Sequence, residues 1–423
     1  MLKVSYIIQN KKEVIDALSK RNFDAKEIIN DLEAFNSERK KTQSDLEDIL
    51  AKLNKLSKDI GELIKTGNNA EADKLKKQTS ELKESSKKLG TVLSSIKLKT
   101  SDLLYKIPNL PHKSVPAGNS EDDNVEVFSS GTIPSDNPSA LPHWELANKY
   151  DIIDFDLGNK ITGSGFPVYK GMGAKLQRAL ISFFLDINTD AGYKEVQVPY
   201  LVNEESGIGT GQLPDKDDQM YHIQSDNLYL IPTAEVPATN IYRDVILNKN
   251  QLPQLLTAFS PCFRREAGSY GSNVRGLNRL HQFDKVEILR IEDPNNSYNA
   301  LEEMVEHVKS ILNKLKLPYR VLKLCGSDLG FTSSLTYDFE VYSAAQKKWL
   351  EVSSVSNFEC YQSNRLKLRY RNDDSKIELT HTLNGSALAL PRIFAAIIEN
   401  NQTEKGIIIP EVLVPYTGFS IIN

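Results

Sequence analysis

The chain has 423 residues, room for two or three domains, with the 40% hydrophobic and 26% charged content of a globular protein. A net charge of −4, from 52 basic and 56 acidic residues, excludes a uniformly basic nucleic-acid binder, so any basic surface is local. Cys262, Cys325 and Cys360 lie far apart with no CxxC pair, which excludes a disulfide framework and a cysteine zinc site and fits reduced thiols.

The start, Met1-Leu2-Lys3-Val4-Ser5-Tyr6, lacks the apolar run of a signal peptide. No stretch approaches the ~18 apolar residues of a membrane span. A cytoplasmic protein with no membrane partner is expected.

Residues 24–98 contain no proline, and glycine only at 61, 67 and 90. Ile28, Leu32, Phe35, Leu46, Ile49, Leu53, Leu56, Ile60 and Leu63 recur in alternating steps of four and three, with Arg39 and Thr42 at the two missing seam positions. After Gly67-Asn68-Asn69 the pattern resumes at Ala72, Leu75, Leu82, Leu89, Leu93 and Ile96, with Thr79 and Ser86 in the seam. A heptad pattern this long predicts a coiled coil, and the Gly-Asn-Asn break folds it into an antiparallel hairpin. At 1.5 Å per residue, ~40 residues give an arm roughly 60 Å long. Residues 24–51 carry four basic and eight acidic side chains, whereas 52–98 carry eleven basic and six acidic. Two uses fit: a solvated coiled coil that dimerises, or an arm that lays lysines along phosphates.

Residues 108–142 have linker composition, with Pro108, Pro111, Pro116, Gly118, the acidic run Glu121-Asp122-Asp123, then Pro134, Pro138 and Pro142. The expected division is an N-terminal domain over 1–110, a linker over 111–142 and a second domain over 143–423. His143-Trp144-Glu145-Leu146 opens the second domain. Leu176, Leu180, Phe183, Phe184 and Ile187 give 171–192 a helical period, and Glu195-Val196-Gln197-Val198-Pro199 alternates like a strand stopped by proline. Gly209-Thr210-Gly211-Gln212-Leu213-Pro214 reads as a turn-rich loop. Leu228 to Leu230 reads as a strand that runs through Ile231-Pro232 into the turn Thr233-Ala234-Glu235.

Pro261-Cys262-Phe263-Arg264-Arg265-Glu266 and Arg279-Leu280-His281-Gln282-Phe283-Asp284-Lys285-Val286-Glu287 alternate apolar and polar residues around a segment, 267–276, with three glycines and two serines. This predicts strand, long loop, strand. Period 2 puts Arg264 and Glu266 on one face, and His281, Phe283, Lys285 and Glu287 on one face of the second strand. On one reading these groups converge over a sheet surface; on the other they form a polar edge hairpin facing water. Downstream, a helix is expected over 298–315, strands around Tyr319-Arg320-Val321, Thr336 to Val341 and Trp349-Leu350-Glu351-Val352-Ser353-Ser354, and a helix over 393–400 after His381 to Arg392.

Phe263-Arg264-Arg265-Glu266 with Arg279, Phe283 and Glu287 resembles motif 2 of class II aminoacyl-tRNA synthetases, and the string from Cys262 to Glu287 resembles the seryl-tRNA synthetases in particular. The helix, strand and Pro199 resemble motif 1, the family's dimer interface, and His381 to Arg392 resembles motif 3. The heptad block is similar to the family's N-terminal tRNA-binding arm. The implied fold is α+β: an antiparallel sheet flanked by helices in the class II manner, preceded by the coiled-coil arm. The chain ends 31 residues after Arg392, which leaves no room for a C-terminal anticodon-binding domain and argues against the threonyl, prolyl and histidyl relatives.

The implied activity joins L-serine to ATP as seryl-adenylate, then transfers serine to the 3′ end of tRNA(Ser), with tRNA(Sec) left open. Arg264 would stabilise the charge built on the α-phosphate, with Arg265 beside it, and Arg392 would hold the γ-phosphate end. Phe283 would stack on adenine while Glu266 accepts from its exocyclic amine. Glu351 and Ser354, in the strand with Val352 and Ser353, would hold Mg2+ through ATP; no zinc is expected. Thr233, Ala234, Glu235, Glu287 and Ser386 would form the serine pocket. A homodimer is implied. The sequence departs from the family at Cys360-Tyr361, Asn364, Ala387 and Pro391. Two other classes compete: a relative that loads a carrier protein, against which the long arm speaks, and an inactive RNA-binding relative, against which Arg264, Glu266, Glu287, Glu351 and Arg392 speak.

Overall fold

The structure, a computed structural model, describes residues 1–134, 139–215, 218–266 and 275–423. It divides into two compact units, one of Leu2–Ser19 and Phe23–Pro108, the other of Met1, Lys20–Asn22 and Asn109–Asn423.

In the first unit, two short helices, Val4–Gln9 and Lys11–Ser19, precede the long helices Lys26–Lys65 and Asn69–Lys106. Gly67 turns the chain between them at φ +79°, a conformation that favours glycine. The heptad seam lies inward throughout, and Leu32, Thr42, Ala72, Leu93 and Ile96 are buried along it. Near the base Ile29 takes the buried place and Ile28 is half-buried. The second helix runs past the end of the heptads to Lys106.

The second unit is organised on eight strands: β1 (Val125–Ser130), β2 (Lys194–Glu195), β3 (Gln254–Phe263), β4 (Gln282–Glu292), β5 (Tyr319–Lys323), β6 (Leu335–Ser343), β7 (Lys348–Asn357) and β8 (His381–Ala389). Their order across the sheet is β1-β5-β6-β7-β8-β4-β3-β2. All pairs are antiparallel except β2 with β3. The antiparallel sheet expected from the sequence is there, with one parallel pair at its edge. The long excursion between β2 and β3 is the crossover that parallel neighbours require. β1 arises inside the proline-rich stretch that reads as a linker. Its own residues, Val-Glu-Val-Phe-Ser-Ser, contain no proline, so it can complete a ladder with β5.

Helices Gly171–Asp190, Ser297–Leu315 and Leu390–Asn400 bury Phe184, Leu301, Val308 and Phe394 in the main core, together with Val286 and Ile288 of β4. Side chains alternate across a strand, so Lys285 and Glu287 lie on the opposite face. Pro391 sits in the first turn of its helix, where a missing N–H costs nothing.

Two local readings change. β2 spans only Lys194–Glu195, although the Val196 N–H still donates to Thr257 O at 2.9 Å. Gly209 and Thr210 close a helix, Glu204–Thr210, which Gly211 ends in the left-handed conformation at φ +94°. The hairpin of β3 and β4 forms with Phe263 opposite Gln282 and Cys262 opposite Phe283. The loop expected over 267–276 lies outside the described residues up to 274. Among the described residues no helix is long and apolar enough to cross a membrane.

Candidate active site

Glu287 sits near the middle of β4, opposite Ser386 of β8 on one side and Ala258 of β3 on the other. Its Oε1 accepts from the Thr233 hydroxyl at 3.2 Å and the Ser386 hydroxyl at 3.3 Å, and it pairs with the Lys285 ammonium two residues back on the same face. Thr233 belongs to the turn that enters helix Glu235–Asn240, where its hydroxyl also accepts from the Glu235 N–H at 3.2 Å. Ala234 packs with Val198, Ala238 and Ala258, so its side chain is in the interior. The Glu235 carboxylate accepts from Gln362 Nε2 at 2.6 Å, and Gln362 Oε1 accepts from the Thr382 hydroxyl at 2.6 Å. Burial, and then the negative charge of Glu287, push the Glu235 carboxyl up to about 7. The result is a buried group of two carboxylates with the Lys285 ammonium and the Thr233, Ser386 and Thr382 hydroxyls around them.

Beside it, β3 ends at Phe263, so the three charged residues that follow leave the ladder. The Arg264 N–H donates to His281 O at 2.9 Å, its Nε reaches Pro232 O at 3.4 Å, and its guanidinium lies over the Phe283 ring at 5.2 Å. Arg265 turns outward to Asp218 at 3.3 Å and lies over Tyr221 at 5.8 Å. Glu266 has φ +50°, which breaks the alternation that placed it on a face with Arg264; its carboxylate pairs with Arg279. His281 precedes β4. Its ring stacks on Phe166 at 5.5 Å and its Nδ1 is 2.8 Å from the Tyr221 hydroxyl, so it braces the hairpin rather than joining Phe283, Lys285 and Glu287.

On β7, Glu351 and Ser354 are three residues apart, a spacing that an unbroken strand would send to opposite faces. The pairing shifts between Phe339 and Glu340: Glu351 faces Glu340, Ser353 faces Phe339, and Val352 is the extra residue of a β-bulge. The bulge brings the Ser354 hydroxyl to 3.5 Å from Glu351 Oε1. Val352 itself is in the main core, and the Ser353 hydroxyl donates to Ser386 O at 2.6 Å. Arg392 donates from Nη1 to Glu351 O at 2.7 Å and from Nε to Asn278 O at 3.1 Å, with Glu351 Oε2 3.6 Å away.

The structure thus joins Thr233, Glu235, Glu287 and Ser386 in one group, Arg264 and Phe283 in a second, and Glu351, Ser354 and Arg392 in a third. Sequence reasoning gave no role to Lys285, Gln362, Thr382 or Asp338. Asp338 faces Ser354 across the ladder, and burial followed by the charge of Glu351 raises its carboxyl well above the usual range. In an alternating strand it reads as one more water-facing residue. Of the residues that depart from the family pattern, Tyr361 is fully buried. The neighbouring Arg365 ties down the carbonyls of Ile208 and Leu213 at 3.1 and 3.2 Å.

Residues 1–111 match the family model described as the seryl-tRNA synthetase N-terminal domain, and residues 220–401 match that of the tRNA synthetase class II core domain (G, H, P, S and T). The serine–tRNA ligase of Salinibacter ruber is 52% identical over 85% of this chain and 85% of its own length. The chain belongs to the seryl-tRNA synthetases. The corresponding ligase of Geobacillus kaustophilus is 49% identical over 78% of this chain and 79% of its own. The crystal structure of the Pyrococcus horikoshii seryl-tRNA synthetase complexed with ATP aligns over 100% of this chain and 99% of that one, with a TM-score of 0.91 at 32% identity. This synthetase is accordingly a serine–tRNA ligase of class II, with the helical hairpin that goes with the family's N-terminal domain.

Proposed function

We propose that the pocket at Glu287 takes L-serine, that Arg264, Phe283, Glu351, Ser354 and Arg392 take ATP, and that the helical hairpin takes tRNA(Ser). The observation that carries this is the convergence of the Thr233 and Ser386 hydroxyls on Glu287, with the Glu235 carboxyl beside it. A serine ammonium would be drawn to the two carboxylates, sharing Glu287 with Lys285, and a small hydroxyl would find donors and acceptors already in place. Alanine, lacking the hydroxyl, would leave buried polar groups unpaired. The test is pyrophosphate exchange into ATP that depends on serine.

Arg264, partly buried on the Phe283 ring, is a fixed positive charge where the α-phosphate would gain negative charge as the serine carboxylate attacks. Its side chain and Phe283 would accept the adenylate moiety between them and Glu266. Glu351 and Ser354 offer hard oxygen donors side by side, a set that fits Mg2+ held jointly with phosphate oxygens. Mg2+ there would neutralise phosphate charge. Arg392 would fix the far phosphates with its planar fork. The backbones of Val352, Ser353 and Ala234 are what those residues offer, since their side chains are committed elsewhere. A cytoplasmic location follows from the role in translation. Charging of tRNA(Sec) stays within the same reading, since the arm would meet either RNA.

The raised Glu235 carboxyl gives this reading a pH signature. About one unit below its value the empty pocket holds a proton on Glu235, and the serine ammonium favours the ionised form. Serine binding should then expel that proton. Calorimetry in two buffers of different ionisation heat reads the release, which fades as pH rises well past the shifted value. No release on the acid side would take Glu235 out of ammonium recognition.

We also read the Gly171–Asp190 helix and the strand after it as a dimer surface, from their likeness to motif 1. Light scattering should give twice the 47.5 kDa of one chain; a mass of one chain at every concentration would end this reading.

A further inference from the structure

A fully buried histidine closes a ring of polar contacts behind the ATP residues. His143 starts the helix His143–Lys149, and both it and Glu399, at the far end of the helix that carries Arg392, have no exposed side-chain surface. The His143 backbone N–H donates to Glu399 Oε1 at 2.8 Å, and its ring Nδ1 lies 2.6 Å from the same oxygen. The Nε2 atom lies 2.8 Å from the Leu277 nitrogen, which can only donate. Nε2 is therefore the acceptor and Nδ1 carries the proton to Glu399. Leu277 is buried, so its N–H has no water to turn to.

The next residue links this contact to Arg392. Asn278 O accepts from Arg392 Nε at 3.1 Å, Asn278 Nδ2 donates to Gln346 Oε1 at 2.9 Å, and Gln346 Nε2 donates to Glu399 Oε1 at 2.9 Å. The Ser343 hydroxyl also donates to Glu399. Glu399 thus keeps three donors without the imidazole, and the ring's distinct contribution is to hold Leu277. The approach is tight on the other side too. Gly276 has φ +68°, and a Cβ there would come within 2.2 Å of His143 Nε2.

We propose that His143 is a positioning residue for ATP: its Nε2 anchors the Leu277 N–H and so fixes the Asn278 carbonyl that aims the Arg392 guanidinium. This rests on the reading of Arg392 as a phosphate-binding residue.

The test compares two variants of the full chain in pyrophosphate exchange. His143→Asn keeps a donor near the Nδ1 position and loses the acceptor, whereas His143→Gln places an oxygen near the Nε2 position. Loss of the acceptor leaves one buried N–H unpaired, so His143→Asn should raise KM for ATP about ten-fold with little change in KM for serine. His143→Gln should recover most of it and melt close to the parent, whereas His143→Asn should fold but melt somewhat lower, as one unpaired buried N–H requires. An unchanged KM for ATP in His143→Asn, equal loss in the two variants, or equal rises in the KM for serine and ATP would each overturn the proposal. If His143→Asn does not fold, Gly276→Ala, which crowds the same nitrogen, carries the same expectation and the same refutation. Arg392→Ala separates the two readings. If it leaves KM for ATP alone, the assignment of Arg392 fails; if it raises that KM and His143→Asn does not, only the positioning role fails.

Discussion

Replacing Arg264 by alanine should lower serine-dependent pyrophosphate exchange about 100- to 1000-fold, the usual loss when one preorganised charge contact to a transition state is removed. The structure says why the loss should be catalytic rather than structural. Arg264 lies past the end of β3, and its backbone N–H, which alanine retains, makes the contact to His281 O. The side chain gives up one long hydrogen bond to Pro232 O, at 3.4 Å, and its place over Phe283. Neither holds the sheet together, so melting should change little. Phe283 would be left with one face open, and ATP binding should weaken less than turnover, because the charge matters most as the α-phosphate becomes more negative. Exchange near the parent rate would remove Arg264 from the mechanism.

Shortening the arm should separate the two half-reactions. The Lys99 ammonium lies 5.8 Å from the centre of the Phe35 ring, which sets those two residues at one level of the hairpin. Removing residues 40–94 and joining the ends above that level would keep the base paired. Serine activation should survive, because each residue proposed to hold ATP or serine lies at or beyond Thr233. Transfer to tRNA should fall steeply, since residues 52–98, with eleven basic and six acidic side chains, would be largely gone. Binding of tRNA by the intact chain should weaken with salt more steeply than binding by the shortened chain, as each neutralised phosphate releases counterions. Neutral replacements at Lys74, Lys76 and Lys77 should reduce that slope in part. Full-rate charging by the shortened chain would return the hairpin to the rank of a coiled coil with no RNA role.

What the sequence made legible follows from how local each rule is. The hairpin seam was readable because a heptad depends on period alone; even Thr42, a polar residue in the seam, sits buried where the spacing puts it. The Phe283, Lys285 and Glu287 face was readable because β4 pairs residue for residue with β3 here, the extra residue opposite Lys285 and Glu287 lying in β8. Arg264 and Glu266 were not, because the ladder stops one residue earlier and the positive φ of Glu266 turns the chain. Glu351 and Ser354 were paired by resemblance only. Period 2 separates them, and the bulge at Val352 that reunites them leaves no mark in a hydrophobicity pattern. β1 was hidden by the prolines around it, although Val125-Glu126-Val127 alternates as a strand should. Gln362 reaches Glu235, and Thr382 reaches Gln362, from distant parts of the chain, so no local pattern announces them.

Burial along the arm is uneven. From residue 43 to 92 only Ala72 is buried, whereas Ile29, Leu32, Leu93 and Ile96 toward the base all are. In the outer part of the hairpin the two helices meet along a seam that is half-exposed apart from Ala72. Local opening there should cost far less free energy than unfolding the catalytic sheet, so its amide protons would be among the first to exchange with solvent. With the arm bound to tRNA as proposed, such a tip would loosen to follow the RNA surface while the buried group around Glu287 kept its geometry. An enzyme that must grip a large, deformable partner and discriminate a very small one has placed compliance and rigidity in separate parts of the chain.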